Sequence, residues 1–337
     1  MRQTNASRDV PLILAMLAVI ALPMALTLHT VHQPVGAVPP EANPTPWGYT
    51  VSLLLFLAPV LAIGVWHLWE PKHPSDRSAL LLSCLAVAAI GTLLDIFFGY
   101  HFFVFRNPGA TLRIRVPAWN FSDWSWVSSY LPVEEFAFYV FGAFFVVTVY
   151  IWAGRNWLPD FDLGEYQAAA RRQPRLISLA PWALVAWPAA IGAAFLYKKQ
   201  FGPVAYRDGI PGYFIFQMVL GVLPTFVFFR GVRDFINWRA FAFSLGALLP
   251  VSIVWEATLG VPYDWWNYKP EQMIGIRVMA WAHLPFEAVM LWLVVAWVAV
   301  IVYEIFKLYG NMGCTAREAL FGVREQGSPQ PRTEARP

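Results

Sequence analysis

The chain has 337 residues, of which 58% are hydrophobic and 13% charged, and its mean hydropathy is +0.49. Soluble domains carry about 25% charged residues, so this composition excludes an ordinary soluble protein and indicates a multi-pass membrane protein. The net charge of +3 is spread along the chain and gives no sign of nucleic-acid binding. Two cysteines predict neither a disulfide framework nor a metal site.

Apolar runs predict about eight transmembrane helices, so the expected fold class is an all-α integral membrane protein. In chain order the predicted spans cover 10–29, 47–69, 78–103, 131–152, 176–197, 212–230, 238–260 and 284–306. The first run is long and lacks a clear cleavage site, which predicts a retained helix rather than a signal peptide. Most Lys and Arg residues fall in alternate connections, which predicts a protein of the cell (inner) membrane with both termini in the cytoplasm.

Four features recur in the same order in two parts of the chain: an acid four residues before a glycine, a Trp-Asn-aromatic sequence, a Leu-Pro-x-Glu sequence and a distal tyrosine. They fall at Asp95 and Glu256, at Trp119 and Trp266, at Pro132-Val133-Glu134 and Pro285-Phe286-Glu287, and at Tyr150 and Tyr303. The shared order predicts two tandem, similar units related by an axis near the membrane normal. The predicted segments are an N-terminal helix and loop (1–46), a first unit (47–152), a linker with the fifth helix (153–209), a second unit (210–308) and a disordered tail (309–337).

The first Leu-Pro-x-Glu sequence places two adjacent acids, Glu134 and Glu135, before the uncharged run 136–152. A carboxylate at the centre of a membrane helix costs about 2.5–3.5 kcal/mol, so acids in spans are candidates for a functional role. The structural alternative is an ordinary helix start, because proline and then glutamate suit the first turn. Two carboxylates this close repel each other, and we expect them to share one proton. A neutral acid beside a carboxylate is the arrangement that general acid–base catalysis needs.

Helical spacing places Glu134, Phe138, Phe141 and Phe145 on one stripe, with Glu135 about 100° away. An acid beside aromatic faces can protonate a double bond, and the aromatic rings can then stabilise the carbocation. The alternative for each phenylalanine is packing against lipid or a neighbouring helix. The further acids predicted to take part in catalysis are Asp95, Glu256 and Glu287.

Several motifs that cofactor-dependent and metal-dependent enzymes need are absent from the sequence. The sequence has no G-x-G-x-x-G for a flavin or nicotinamide, and no histidine cluster for a di-iron centre. It has no pair of aspartate-rich motifs to hold magnesium and a prenyl diphosphate. The prediction is proton transfer in an apolar, aromatic site with no cofactor and no metal.

These motifs resemble the small-domain lycopene cyclases, which occur as two subunits in some bacteria and as fused tandem domains in archaea and fungi. The resemblance covers about 45–152 and 210–306, and its specific part is Pro132-Val133-Glu134-Glu135. It implies that ψ end groups of lycopene become β-ionone rings without net redox change, with Glu134 and Glu135 donating and returning the proton. The implied partners are a lipophilic carotenoid in the bilayer and other enzymes of the carotenoid pathway.

The resemblance also implies residues that contact the substrate or stabilise the cation, namely Phe138, Trp119, Trp266, Pro132 and Pro285. The chain departs from the family at Ala288, where a second glutamate is favoured. This departure predicts a supporting rather than a catalytic second unit, and a tolerated Ala288→Glu substitution. The sequence leaves three alternatives open: a cyclase of another isoprenoid, a non-catalytic membrane protein, and a proton-coupled transporter.

Overall fold

The computed structural model describes residues 46–69, 74–160, 162–179, 181–279 and 281–322, which are mostly helical. The helices are α1 (Gly48–Trp69), α2 (Pro74–Phe102), α3 (Val133–Asn156), α4 (Leu163–Arg172), α5 (Ala183–Gln200), α6 (Gly212–Val232), α7 (Trp238–Gly260), α8 (Phe286–Met312) and α9 (Ala316–Phe321). Among the described residues, five helices are long and apolar enough to cross a membrane: α2, α3, α6, α7 and α8. The predicted span 10–29 lies outside the described residues.

Short antiparallel strand pairs, which the predicted all-α class does not include, connect the helices at one end of the bundle. They are β1 (Phe103–Val104) with β4 (Asn267–Tyr268), β2 (Arg115–Asn120) with β3 (Ser125–Pro132), and β5 (Arg277–Val278) with β6 (Leu284–Pro285). Backbone groups that leave a helix near hydrocarbon need hydrogen-bond partners, and these ladders supply them. The β1–β4 pair joins the connection after α2 to the connection after α7.

Helices α2, α3, α7 and α8 pack together at the centre of the bundle. Small residues allow the close approach, as is common between membrane helices. A Cβ at Gly91 of α2 would overlap the ring of Tyr139 on α3, and Gly142 of α3 faces Val295 of α8. Two helices contain π-helical turns, Gln217–Val222 in α6 and Glu256–Gly260 in α7. Such turns are rare and often occur at functional sites.

At the end of the bundle away from the strands, Glu304 of α8 organises a buried network. Its Oε1 accepts a hydrogen bond of 2.8 Å from the Tyr150 hydroxyl, and its Oε2 accepts one of 3.1 Å from Tyr166. The Tyr150 oxygen also accepts from the backbone N–H of Asn237 at 2.8 Å. The Tyr150 and Tyr303 rings meet edge-on at 5.8 Å. The network therefore joins α3, α4 and α8 to the start of α7.

We expect Glu304→Leu to lower the thermal stability of the protein. The substitution removes the acceptor that Tyr150 and Tyr166 share, and each buried hydroxyl that loses its acceptor costs about 1–3 kcal/mol. The measurement is the unfolding midpoint in detergent micelles. Glu304→Gln is the matched control, because its amide oxygen still accepts one of the two bonds. A leucine variant whose unfolding midpoint equals that of the parent protein contradicts the prediction.

Beyond α8 the chain stays ordered for longer than the sequence suggests. The Thr315 side chain caps α9, and the backbone carbonyl of Ala319 accepts a 2.7 Å hydrogen bond from the N–H of Leu176. The predicted disorder is therefore wrong for residues 309–321, which are held by contacts with the segment before α5. Residues 323–337 lie outside the described part of the chain.

Candidate active site

The two Leu-Pro-x-Glu sequences begin their helices in the same way. Pro132 and Pro285 are each the last residue before a helix, with φ/ψ of −67°/145° and −65°/147°. The N–H of the next residue donates to the carbonyl of Ile114 in one case, at 3.0 Å, and of Ile276 in the other, at 2.9 Å. Both prolines therefore define helix starts. Neither proline lines the cavity described below, so their expected contact with a substrate stays a prediction.

Glu134 and Glu287 bind the backbone of the connections that precede their helices. Glu134 Oε1 accepts hydrogen bonds from the N–H of Leu112, at 2.7 Å, and from the Thr50 hydroxyl. Glu287 Oε1 accepts from the N–H of Ile274 at 2.5 Å. Both side chains are buried. Each carboxylate thus holds the preceding connection onto the helix start, which is the structural role that the sequence left as an alternative.

Glu135 and Glu256 face a small cavity, and they reach it from different helices, α3 and α7. Glu135 Oε1 accepts a 2.6 Å hydrogen bond from the Tyr49 hydroxyl of α1. Glu256 accepts on both oxygens, from the Tyr268 hydroxyl at 2.8 Å and from the Trp292 indole N–H at 2.6 Å. The cavity has a volume of about 20 Å³, which is room for about one water molecule. Carboxyls from two helices therefore face the same small space.

The partners of Glu256 are fixed donors. The indole N–H of Trp292 can only donate. Burial, followed by the charge of Glu256, raises the pKa of Tyr268 well above its ordinary value, so the phenol keeps its proton and donates it. Two donors suit a carboxylate. Glu135 accepts from one donor, Tyr49, and this difference suggests different roles for the two acids.

The remaining wall of the cavity is almost entirely aromatic. It consists of Phe103, Phe138, Tyr139, Trp255, Trp266 and Leu291. Ring centroids lie 4.7 Å apart between Trp255 and Trp266 and 5.0 Å apart between Tyr49 and Trp266. The Phe138 and Trp255 rings stack at 6.3 Å. Because aromatic faces attract positive charge, this wall can stabilise a carbocation beside the two acids.

Phe138 also lines a second cavity of about 40 Å³, together with Phe141 and Phe145 of the predicted stripe. Glu135 lines the first cavity beside Phe138, whereas Glu134 lines neither cavity and accepts hydrogen bonds from Leu112 and Thr50. Adjacent side chains on a helix point about 100° apart, which lets one of these acids face the bundle and the other face the preceding connection.

Asp95 lies in α2, close to this site but outside the cavity wall. Its side chain is 2% exposed, and neither carboxyl oxygen has a hydrogen-bond partner among the described residues. Its charge is close enough to act on Glu135 and on Tyr139. Gly99 leaves room for this carboxyl, because a Cβ there would crowd Asp95 Oδ1. A buried acid without a partner in a membrane helix remains a candidate for proton transfer.

The structure separates the two predicted tryptophans. Trp266 lines the cavity, whereas Trp119 lies on β2 and packs edge-on against Trp126 at 5.1 Å. The two do not occupy matching places. In the strand pairs, Arg115 lies opposite Pro132, and Arg277 lies opposite Pro285. The tryptophans at the same distance after these two arginines are Trp119 and Trp281. Trp119 therefore lies outside the cavity that Trp266 lines, and by its position in the strand pairs its counterpart is Trp281 rather than Trp266.

Several residues of the site were not predicted from the sequence, notably Tyr49, Trp255, Tyr268 and Trp292. One signal was present for Tyr49. The pair Gly48-Tyr49 recurs as Gly212-Tyr213, and each pair begins a helix. A longer signal is Ile-Arg-Val-x-Ala-Trp, which begins at residues 114 and 276. No local pattern marks Trp292, because its partner Glu256 lies on another helix.

We expect Ala288→Glu to destabilise the fold, which reverses the tolerance expected from the sequence. Ala288 is fully buried against Ile253, Ala257 and Leu284. A carboxyl there would have no partner, and a buried unpaired charge costs about 3–5 kcal/mol. The measurement is the yield of monodisperse protein after detergent extraction, with Ala288→Ser as the small control. Equal yields of the glutamate variant and the parent would rule this out.

Comparison of the chain with protein-family models, with curated proteins and with solved structures finds no match. The resemblance to the lycopene cyclases is therefore a proposal supported by the Pro132-Val133-Glu134-Glu135 motif and by the site.

Proposed function

We propose that this chain is a membrane carotenoid cyclase that converts ψ end groups of lycopene to β-ionone rings, yielding γ- or β-carotene, by acid–base catalysis without a cofactor. The observation that carries the proposal is the pairing of Glu135 and Glu256 in one small, aromatic cavity between apolar helices. Two carboxyls with different hydrogen-bond environments are the usual arrangement for a general acid and a general base. The apolar surroundings suit a lipophilic substrate drawn from the bilayer.

Glu135 acts as the acid in this proposal. Its carboxyl gives a proton to the terminal double bond of the ψ end, and the bond becomes a tertiary carbocation. The neighbouring double bond attacks the cation and closes the ring. Phe138, Trp255 and Trp266 surround the space in which this charge forms. Stabilising the cation away from water supplies most of the catalysis.

Glu256 acts as the base. Its carboxylate removes a ring proton, and the electrons of that C–H bond form the ring double bond. One proton has entered and one has left, so the reaction is an isomerisation. Glu135 regains its proton from Glu256 across the space between them, which has room for about one water molecule. Asp95 lies close enough to interact electrostatically with Glu135 during this return.

Substrate entry requires the aromatic wall to open. The cavity of about 20 Å³ is too small for a six-membered ring, and Phe138 and Trp255 separate it from the neighbouring cavity of about 40 Å³. Rotation of these two side chains would join the spaces. The second cavity is lined mostly by apolar side chains, including Phe141 and Phe145, which suits a polyene chain.

We also propose that the chain consists of two tandem units, 47–152 and 210–308, within about eight spans in the cell membrane, with both termini in the cytoplasm. The support is a set of equivalent features: Gly48-Tyr49 and Gly212-Tyr213, the 3-10 turns Pro108–Ala110 and Pro270–Gln272, and the two proline-preceded helix starts. Glu135 has Ala288 as its counterpart. One acid pair per chain follows from this asymmetry.

Expression in a host that accumulates lycopene tests the proposed function. The pigments are extracted and separated by chromatography, and the protein is quantified in the membrane fraction. We expect γ- or β-carotene to appear, and to be lost in Glu135→Gln. Unchanged lycopene beside normal amounts of membrane protein overturns the assignment. The same membranes supplied with other acyclic polyprenoids then test the alternative substrate class.

A further inference from the structure

The hairpin formed by β2 and β3 carries large aromatic side chains that the described part of the chain does not cover. Trp124 at its tip is 74% exposed, Trp126 is 53% exposed and Phe121 is 36% exposed. The only charged residue of the tip is Asp123, whose carboxylate accepts a 2.7 Å hydrogen bond from the Ser125 hydroxyl. This is a concentrated apolar surface rather than a scattered set of exposed side chains.

The Leu-Pro-x-Glu sequences at 131–134 and 284–287, which each precede or begin a membrane helix, are called here the first and second acid entrance, and the hairpin belongs to the first only. In the second entrance, Val278 pairs with Leu284, and five residues join them. In the first, Val116 pairs with Leu131, and the intervening segment extends into the long hairpin. The added aromatic tip therefore stands beside the entrance that also carries Glu135.

Trp124 occupies a turn position that does not favour tryptophan. Its φ is +54°, in the left-handed region where glycine or asparagine is usual. A bulky residue held there is strained. Among the described residues, its ring has only edge-on aromatic neighbours, Trp119 and Phe121, each at 6.3 Å. The strain is therefore not offset by burial in the fold.

The aromatic tip continues the outward surface of a membrane-spanning helix. On α2 the exposed residues Ile90, Leu93 and Phe97 follow helical spacing and form one stripe. The Phe97 ring lies 6.3 Å from that of Trp126, so the stripe leads directly into the hairpin. The hairpin lies in the connection between α2 and α3. It therefore lies at the level where two spans reach the membrane surface.

We propose that the tip of this hairpin, Phe121, Trp124 and Trp126, inserts into the interfacial region of the lipid bilayer. Tryptophan prefers that region because its ring is apolar and its N–H finds a polar partner among the headgroups. Continuity with the outward stripe of α2 identifies lipid as the occupant. Insertion of the tip does not depend on which substrate the cavity of Glu135 and Glu256 binds.

A fluorescent label at the hairpin tip measures its depth. The full chain with Asp123→Cys, Cys84→Ala and Cys314→Ser is labelled with bimane and reconstituted in phosphatidylcholine vesicles. We expect lipids spin-labelled near the headgroup to quench the label about twofold or more, and aqueous iodide to quench it weakly. Arg172→Cys on the exposed face of α4 is the control position, quenched by iodide. Strong iodide quenching without lipid quenching at residue 123 overturns the proposal.

A second variant separates insertion from folding. Trp124→Gly relieves the left-handed strain, so a residue with only a structural role would be replaced at no loss of stability. The proposal expects the spin-labelled lipids to lose about half of their quenching at residue 123 in this variant, with the unfolding midpoint unchanged or higher. Unchanged lipid quenching in Trp124→Gly would show that Trp124 does not anchor the tip.

Discussion

We expect Glu135→Gln to abolish ring formation in a lycopene-accumulating host, and Glu134→Gln to keep most of it. This is the largest effect that the proposed mechanism predicts. Glu135 is the acid that faces the aromatic cavity, and a glutamine there cannot release a proton to a double bond. Losing a general acid reduces the rate by about 10²–10⁴-fold. The amide is nearly the same size as the carboxyl, so the packing around it is preserved.

The adjacent substitution is a matched control because it changes the same functional group one residue away. Glu134 accepts from the N–H of Leu112 and from the Thr50 hydroxyl, and the amide oxygen of glutamine still accepts such bonds. We expect a stability loss of about 1 kcal/mol, which is typical for one weakened hydrogen bond. Equal loss of ring formation in both variants, at equal amounts of membrane protein, would contradict the assignment of Glu135 as the acid.

The sequence identified the acid-bearing helix starts but not which of two adjacent acids would act. Apolar runs end where the hydrocarbon ends, so the position of the acids near span ends follows from composition alone. Adjacent helical side chains point about 100° apart, so which of the two acids faces the cavity depends on how α3 packs against α1 and α7, and helical spacing does not specify that packing.

The partners of the acids could not be found from local patterns. The Tyr49 hydroxyl reaches Glu135 across 86 residues of sequence, and Trp292 reaches Glu256 across 36. Such contacts depend on how the helices pack, which periodicity does not specify. The place of Trp119 could not be found from a local pattern either. It belongs to a Trp-Asn-aromatic sequence like that of Trp266, but the pairing of β2 with β3 places it in the hairpin, opposite Trp126, and not in the cavity.

Glu256→Gln also removes ring formation, for a different reason. Glu256 accepts from Tyr268 and Trp292, both of which donate, and a glutamine offers only one acceptor oxygen. Its NH₂ group would then face a second donor, and it cannot take a proton from the ring. We expect a loss of about 10²–10⁴-fold, because the base is as necessary as the acid. Initial rates in isolated membranes supplied with lycopene give the measurement.

The double variant Glu135→Gln/Glu256→Gln tests whether the two acids serve one reaction. Groups that act as a unit are strongly non-additive, so the double variant should be no slower than the slower single variant, within about threefold. Glu287→Gln is the control, since it makes the same change at a buried acid outside the cavity and keeps an acceptor for the N–H of Ile274. Losses that multiply would mean that Glu135 and Glu256 act independently. Their place in one cavity would then reflect packing rather than shared chemistry.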